Sequence, residues 1–459
     1  MNVSRADTRR SWSSLPKLRF EDQELTSFSG LVLFQKLFGT LNLRDRLCSC
    51  VRHLKRSGAY SADRILLLLI VHVMLGWRRL RDLDHYRSDP LVRRVLGLAS
   101  LPDVSTVSRA LRAFDTKVVS RLRSLLRELV LHRLLMLGLK RITVDFDGSV
   151  ISTKSRTTEG TAVGYNRKAK GARSYYPLFA TIPQTGQILD FAHRPGNVHD
   201  SNGATQFMES CFASFREVGF RGVLESRIDG AHFSDATLLV MAAQRVEFSV
   251  SVPFLRFPDL KQTVQSRRRW SRIDDRWSFF ELDWKPKKWP STVRCVVYRQ
   301  RVAVPRKGPI QLDLFEPIER DFEYKVVATN KRISAAALLD FHNGRGAQEG
   351  IFAETKSQLQ LDYIPTRRLV PNQVWLTCVA LAHNLGREMQ MLASPPAHSN
   401  TLKRACLWTF ERFATMRHRL IQRAGRLTRP QGELTLTMAG DDATRRELEQ
   451  LLRSLGEAA

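Results

Sequence analysis

The spacing of apolar and polar positions divides the chain into a helical opening, a strand-rich middle and a helical close. From about Leu25 to Lys140 the apolar residues recur at helical intervals in long Leu-rich runs. Ile65–Trp77 (ILLLLIVHVMLGW) is apolar on every face, too short to span a bilayer, and bracketed by Arg64, Arg78 and Arg79. That pattern predicts a buried core helix, with Ser61-Ala62-Asp63 as its N-cap start. Pro102–Leu111 reads as a turn entering a second helix, with Ser105 or Thr106 near its start and Arg109 one turn on. Short hydroxyl side chains at a helix N-terminus suit either an ordinary cap or phosphate contacts. Thr116–Leu139 is a longer helix whose Arg121, Arg123, Arg127 and Arg133 have the pattern of a solvated face.

At Ile142 the period falls to two. Ile142–Thr153 is alternating and β-branched, so it reads as a strand. Ser174–Ile182 and Ile188–His193 make a hairpin across Pro183–Gly186, and an Arg194–Asn197 turn leads to a helix ending near Val218. A strand follows at Val223–Ile228, then a helix from Ser234 and a strand at Phe248–Pro253. The order predicts an α/β fold, a mixed sheet with flanking helices. Phe254 to about Arg320 is rich in Arg, Lys, Trp and Pro with short strand-like pieces, and reads as an inserted, mostly β unit. Phe322–Thr329 resumes the sheet, followed by a helix holding Glu349 and a long apolar helix at Gln373–Leu392. After the loop Ala393–Asn400 come a basic helix with Arg412, Arg417, Arg419 and Arg423, a small hairpin and an amphipathic helix at Thr444–Leu455. The expected segments are 1–140 (helical, DNA-binding), 141–253 and 322–400 (the two parts of a core), 254–321 (insertion) and 401–459 (basic C-terminal region).

Charge narrows the partner. A formal net charge of +28 over 459 residues is the electrostatic footprint of a polyanion ligand, most simply DNA or RNA. No segment supports a membrane partner, and no secretory signal is visible. Ser4–Phe20 is Arg- and Ser-rich and fits either a flexible basic arm or a transit peptide. Six scattered cysteines, with only Cys48 and Cys50 close together, argue against structural zinc and for a reducing, cytoplasmic compartment.

Candidate chemistry gathers on four acids. Asp145 and Asp147 lie two apart on a strand and so share a face, where burial calls for a neutralising cation. Asp229 ends the Val223–Ile228 strand, at the sheet edge where α/β proteins bind ligands. In His342–Lys356 (HNGRGAQEGIFAETK), Arg345, Glu349 and Lys356 fall at i, i+4 and i+11, one stripe of a single helix. Three acidic groups converging on one pocket, all hard oxygen donors, favour Mg²⁺ or Mn²⁺, and a pair of ions suits an in-line phosphoryl transfer. Alone, the stripe is also what a salt-bridged surface helix looks like.

These residues resemble a known family. The spacing His342, Arg345, Glu349, Lys356 is similar to the Tyr, Arg, Glu, Lys signature of DDE transposases of the IS4-related group, with His in place of Tyr. Arg345, Gly346, Glu349, Ile351, Glu354 and Lys356 resemble the fuller pattern of the IS1380-type branch, with Ile351 one position early. Asp145, Asp147 and Ser149, the blocks Gly164-Tyr165-Asn166, Tyr175–Leu178 and Arg194–Asn197, and Arg227–Asp229 match as well. The resemblance spans about Ile142–Leu392 and implies an RNase H-like catalytic core with a β insertion. It implies Asp147, Asp229 and Glu349 as catalytic and metal-holding acids, with Asp145 as the alternative first acid. Arg345, Lys356 and His342 become DNA contacts. It further implies a cut-and-paste transposase of a bacterial insertion sequence, acting with two Mg²⁺ or Mn²⁺ ions on terminal inverted repeats and target DNA. The working form would be a homodimer in a synaptic complex at the nucleoid. A catalytically inactive, DNA-binding relative and a non-transposing nuclease are the alternatives.

Two stretches of the insertion add expectations. Its tryptophans, Trp284 and Trp289 among them, are candidates to stack on an unpaired base, or else the core of a small β unit. Gln311-Leu312-Asp313-Leu314-Phe315 resembles the short peptide by which bacterial proteins dock on the replication sliding clamp, or is an edge strand.

Overall fold

A computed structural model of the chain describes residues 18, 20, 21, 24–55, 58–164, 166, 169–198, 202–301, 316–319, 322–438 and 441–457. Its spine is a ten-stranded mixed sheet. The central strand, Arg141–Gly148, runs parallel to Val223–Ile228, which runs parallel to Glu247–Ser251. On its other side it pairs antiparallel with Leu178–Ile182, itself the first arm of a hairpin with Gln187–Ala192. In chain order these five strands lie 3-2-1-4-5. They are buried on both faces because helices cover both, as their run of Ile, Val, Leu and Phe requires.

The insertion does not stand apart from this sheet. Phe322–Thr329 pairs with Glu247–Ser251, and Val293–Arg301, Trp277–Trp284 and Ser271–Arg272 extend it strand by strand. The expected Ile142–Thr153 strand instead ends at Gly148, and Ile151–Thr153 joins a separate three-stranded sheet with Arg173–Tyr175 and Ala162–Val163. Ser174–Ile182 likewise splits at Tyr176-Pro177 between the two sheets. Pro177 has no N–H to give to a ladder, and its carbonyl accepts from Ser149 N (3.0 Å) as the chain crosses over.

The apolar run forms the helix Ala62–Met74, buried without a break from Ile65 to Met74. It packs against Leu369–Ala393, the 25-residue helix foreseen as Gln373–Leu392. One hydrophobic cluster joins these helices to Phe179 and Phe191 of the sheet, to Ile351 and Phe352, and to Leu451 and Leu455 near the C-terminus. The arginines expected on a solvated face mostly turn inward. Arg123 and Arg127 bind the fully buried Asp190 at 2.8 and 2.9 Å, and Arg133 pairs with Glu388, fastening Thr116–Met136 to sheet and long helix. The expected basic C-terminal helix is only Phe413–Met416 and a π-turn, Arg417–Ile421. Arg417 is buried and donates to the carbonyls of Met74 (2.7 Å) and Gln358 (2.6 Å), so it clamps structure rather than facing a ligand. Among the described residues no helix is long and apolar enough to cross a membrane.

Candidate functional site

Parallel register sets the site. Asp145 lies opposite Arg227 on the neighbouring strand, and so Asp147 and Asp229, two residues further on, emerge side by side at the C-terminal edge. Asp145 is fully buried and takes both of its hydrogen bonds from Arg227, from Nε at 2.7 Å and Nη2 at 2.6 Å. Burial pushes the Asp145 carboxyl up and the guanidinium opposes it. Arg227 Nη1 also donates to the carbonyls of Phe341 (3.1 Å) and Lys403 (2.7 Å). The pair therefore stitches two strands to the entrance of the Glu349 helix. Asp147 and Asp229 each accept from the next backbone N–H, Gly148 at 2.7 Å and Gly230 at 2.6 Å.

Glu349 arrives differently from the single helical stripe. Ala335–Asn343 is one helix, Gly344–Gly346 a 3₁₀ turn and Ala347–Gln358 another helix. Gly344 is required where it stands, because a Cβ there would meet Arg227 Nη1 at 2.0 Å and the Lys403 carbonyl at 2.2 Å. The turn still brings Arg345 over the sheet edge, with Nη1 3.6 Å from Asp147 Oδ2 and Nη2 3.9 Å from Asp229 Oδ1. Glu349 lies in the first turn of its helix, where the backbone dipole favours a carboxylate. The Asp147 carboxyl is pushed up to about 7, by burial first; Arg345 opposes this, while the negative charges of Asp229 and Glu349 add to it. Burial pulls Arg345 down, but Asp229, Asp147, Asp145 and Glu349 together leave it above its ordinary value. Lys356, in the last turn, donates from Nζ to the Val150 carbonyl at 3.0 Å, on the turn that follows Asp147.

His342 is not at this surface. It is buried between Ser249 Oγ (2.9 Å from Nδ1) and Ser251 Oγ (2.9 Å from Nε2). Burial and the cations Lys325, Arg345 and Arg227 hold it well below the usual imidazole range, so it is a neutral strut. Sequence reasoning also passed over Lys325, which is buried, donates to Asn343 Oδ1 at 2.7 Å, and is pulled down to about 7 by burial and Arg345 against the attraction of Asp229. Arg227 did lie within the Arg-x-Asp match, but its partner was out of reach.

The remaining candidates fall elsewhere. Trp284 is buried, with its indole N–H given to Asp259 Oδ2 at 2.9 Å, and so belongs to the core of the insertion. Trp289 is half-buried against Phe233 (ring centroids 4.8 Å apart), four residues beyond Asp229. Ser105 and Arg109 are exposed on Val104–Ala113, whose N-cap is Asp103, accepting from Thr106 N at 2.7 Å. Gly164 meets the Arg194–Asn197 turn so closely that a Cβ would lie 1.7 Å from the Gly196 carbonyl oxygen. Tyr165 and Gln311–Phe315 lie outside the described residues.

The donor set suits a hard divalent cation in kind: carboxylates only, one of them raised by burial and further by the charge of the other two. Among the described residues no three acidic, His or Cys groups already form a ligand cluster, and Arg345 is the cation between Asp147 and Asp229. Gly148→Ala is expected to cut any activity of this edge at least tenfold. Its Cβ would lie 2.3 Å from the Tyr176 ring, which packs against the Arg194 guanidinium (5.3 Å), so either that ring or the turn carrying Asp147 has to give, and a 1 Å displacement of Asp147 costs about a hundredfold. Unchanged turnover in Gly148→Ala would show that the Tyr176 ring yields and that Asp147 keeps its place.

The family model described as transposase DDE domain, group 1, matches residues 14–459. No curated protein matches the chain. Among solved structures, similarity extends to a piggyBac transposase synaptic complex with hairpin DNA, at 11% identity and a TM-score of 0.42, covering 85% of this chain and 79% of that one. A Drosophila P element transposase strand transfer complex matches at 12% identity and a TM-score of 0.23, covering 47% and 43%. A Mos1 mariner paired-end complex with Mn matches at 12% and 0.17, covering 53% and 70%.

Proposed function

The chain belongs to the transposases with a group 1 DDE domain, and from that premise we propose that it is a cut-and-paste enzyme of the IS1380 type, which cleaves terminal inverted repeats and joins them to target DNA. The observation that carries this reading is the convergence of Asp147 and Asp229 on Arg345 at one sheet edge, with Glu349 raising the Asp147 carboxyl from the adjoining helix. The 3-2-1-4-5 order of the core strands supports an RNase H-like core. Asp147, Asp229 and Glu349 are the acids to hold Mg²⁺ or Mn²⁺, which when bound supply Lewis-acid stabilisation of the charge developing around phosphorus. Asp145, the alternative first acid, is left out of this proposal because it is fully buried and both its oxygens accept from Arg227.

The chain's own residues do the rest. Arg345 offsets the clustered carboxylates and presents a guanidinium to a phosphate entering between them. Lys356 ties the helix of Glu349 to the turn after Asp147, keeping two acids from different elements in step. The stacking on an unpaired base is assigned in this reading to Trp289, half-buried against Phe233 near Asp229, rather than to Trp284, whose indole N–H is given to Asp259. Synapsis of two ends calls for a homodimer.

The test uses purified protein, Mg²⁺ and DNA carrying the gene's own flanking inverted repeats, with Glu349→Ala alongside. Cuts at the repeats are expected for the wild-type protein and none for the variant, while both bind. Binding without cuts in either sample would make this a DNA-binding relative without catalysis. Cuts that never join a target would make it a nuclease.

A further inference from the structure

The strands of the insertion run past the catalytic edge and end in an arginine-rich tip. Register fixes its position. Arg227 is level with Ser249, and so Asp229 is level with Ser251, which pairs with Val327. From Val327 the strand continues in the outward direction to Phe322, paired with Arg301, and Arg299 pairs with Tyr324 and Ser278. At about 3.3 Å per residue Arg299 and Arg301 stand roughly 10–17 Å beyond the level of the acids, and Phe280, level with Val326, about 3 Å beyond it. Sideways, Val293–Arg301 is the fourth strand from the central one and Ser271–Arg272 the sixth, about 19 and 29 Å away at about 4.8 Å per strand.

The tip is built of cations laid on rings. Arg299 lies between Trp270 and Phe322, its guanidinium carbon 4.5 and 4.6 Å from their centroids, and its Nε is buried with no hydrogen-bond partner among the described residues. Arg267 covers Phe280 at 4.8 Å. Arg267, Arg268 and Arg269 are all exposed. Acids share this end of the sheet: Asp275 is held by Arg272, Asp274 caps the backbone N–H groups of Arg276 and Trp277, Glu323 lies across from Gln300, and Glu316 and Glu319 lie on the strand beside it, whereas Arg267–Arg269 carries none. Stacking holds the guanidinium planes in place while leaving their charge for an anion outside the protein.

We propose that this tip grips the phosphate backbone of duplex DNA about six to nine base pairs from the scissile phosphate. The distance follows from the offsets above, roughly 20–30 Å in all, at about 3.4 Å per base pair. A site so far from the acids does not hold the reacting nucleotide. It holds the duplex in register. The proposal rests on the transposase reading for the position of the cut, but the grip itself is a charge interaction and is measurable without cleavage.

The experiment compares the wild-type chain with Arg267→Ala/Arg268→Ala/Arg269→Ala, three exposed positions whose loss leaves the sheet intact. Affinity for an arbitrary duplex is measured against salt concentration, and hydroxyl-radical footprints are taken on the inverted-repeat ends. The slope of log affinity against log salt should fall by about 2–3 in the variant, near 0.9 for each phosphate that is no longer neutralised. Protection six to nine base pairs from the cut should vanish, while protection at the cut remains. Protection on the element side would identify the repeat as the gripped duplex, and protection on the other side the flank. An unchanged salt slope would overturn the grip, whether or not the wild-type protein cuts. Wild-type cleavage with an unchanged footprint in the variant would overturn it and leave the transposase reading standing.

Discussion

Asp147→Asn is expected to make the metal-free protein more heat-stable at pH 8 while removing the strand cleavage proposed above. The Asp147 carboxyl sits at about 7 in the fold, against an ordinary value of 3.8. Between those two values the folded state keeps a proton that the unfolded chain has released. Stability from this group is therefore greatest below about pH 4, declines as pH rises to 7, and stays low above it. The destabilisation at pH 8 is on the order of 2–4 kcal/mol, with the lower figure favoured because the side chain is 24% exposed. An amide that carries no charge escapes it. Melting curves should show a gain of a few degrees for the variant at pH 8 and almost none at pH 4. Adding Mg²⁺ should stabilise the wild-type protein at pH 8 and leave the variant nearly unmoved, since a ligand raises stability only where it binds. Equal gains at both pH values would mean that the cost of burying the Asp147 charge beside two other acids is not what the substitution relieves.

Arg227→Ala should be the most damaging single change outside the acids, at about 3–5 kcal/mol of stability, because it leaves the Asp145 charge buried and unpaired. It also strips a donor from the carbonyls of Phe341 and Lys403. Removing both charges together, as Asp145→Asn with Arg227→Met, should cost clearly less than Arg227→Ala alone, since no bare charge remains. Denaturant midpoints for the two variants check this. If the double variant is the less stable of the two, the pair's attraction outweighs its burial cost and the argument fails.

Much of the architecture was legible because it is local. The strands Val223–Ile228 and Phe322–Thr329 carry their own β-branched pattern and appear at those bounds. Asp147, Asp229, Arg345 and Glu349 could be nominated because their types and spacings are unusual together. What the pattern missed depends on partners distant in the chain or on single backbone breaks. Arg227 looks like any strand arginine until a parallel register sets it opposite Asp145, 82 residues away. Gly344 and Gly346 interrupt a stripe that periodicity alone makes continuous, and Pro177 divides a strand whose alternation runs straight through it. His342 seemed a surface contact by its place in a motif. The hydroxyls of Ser249 and Ser251, which bury it, belong to another strand.

The shared core of the N-terminal helices, the helix of Glu349 and the C-terminal helix bears on how such a protein can evolve. Leu67 and Leu68, Ile351 and Phe352, and Leu451 and Leu455 lie in one apolar cluster. Recombination that exchanged the first 140 residues for a foreign domain would strip the inner face of Leu369–Ala393 and break the fold itself. Exchange of that segment on its own is therefore closed to such a lineage, whereas change at exposed side chains leaves the shared interior intact.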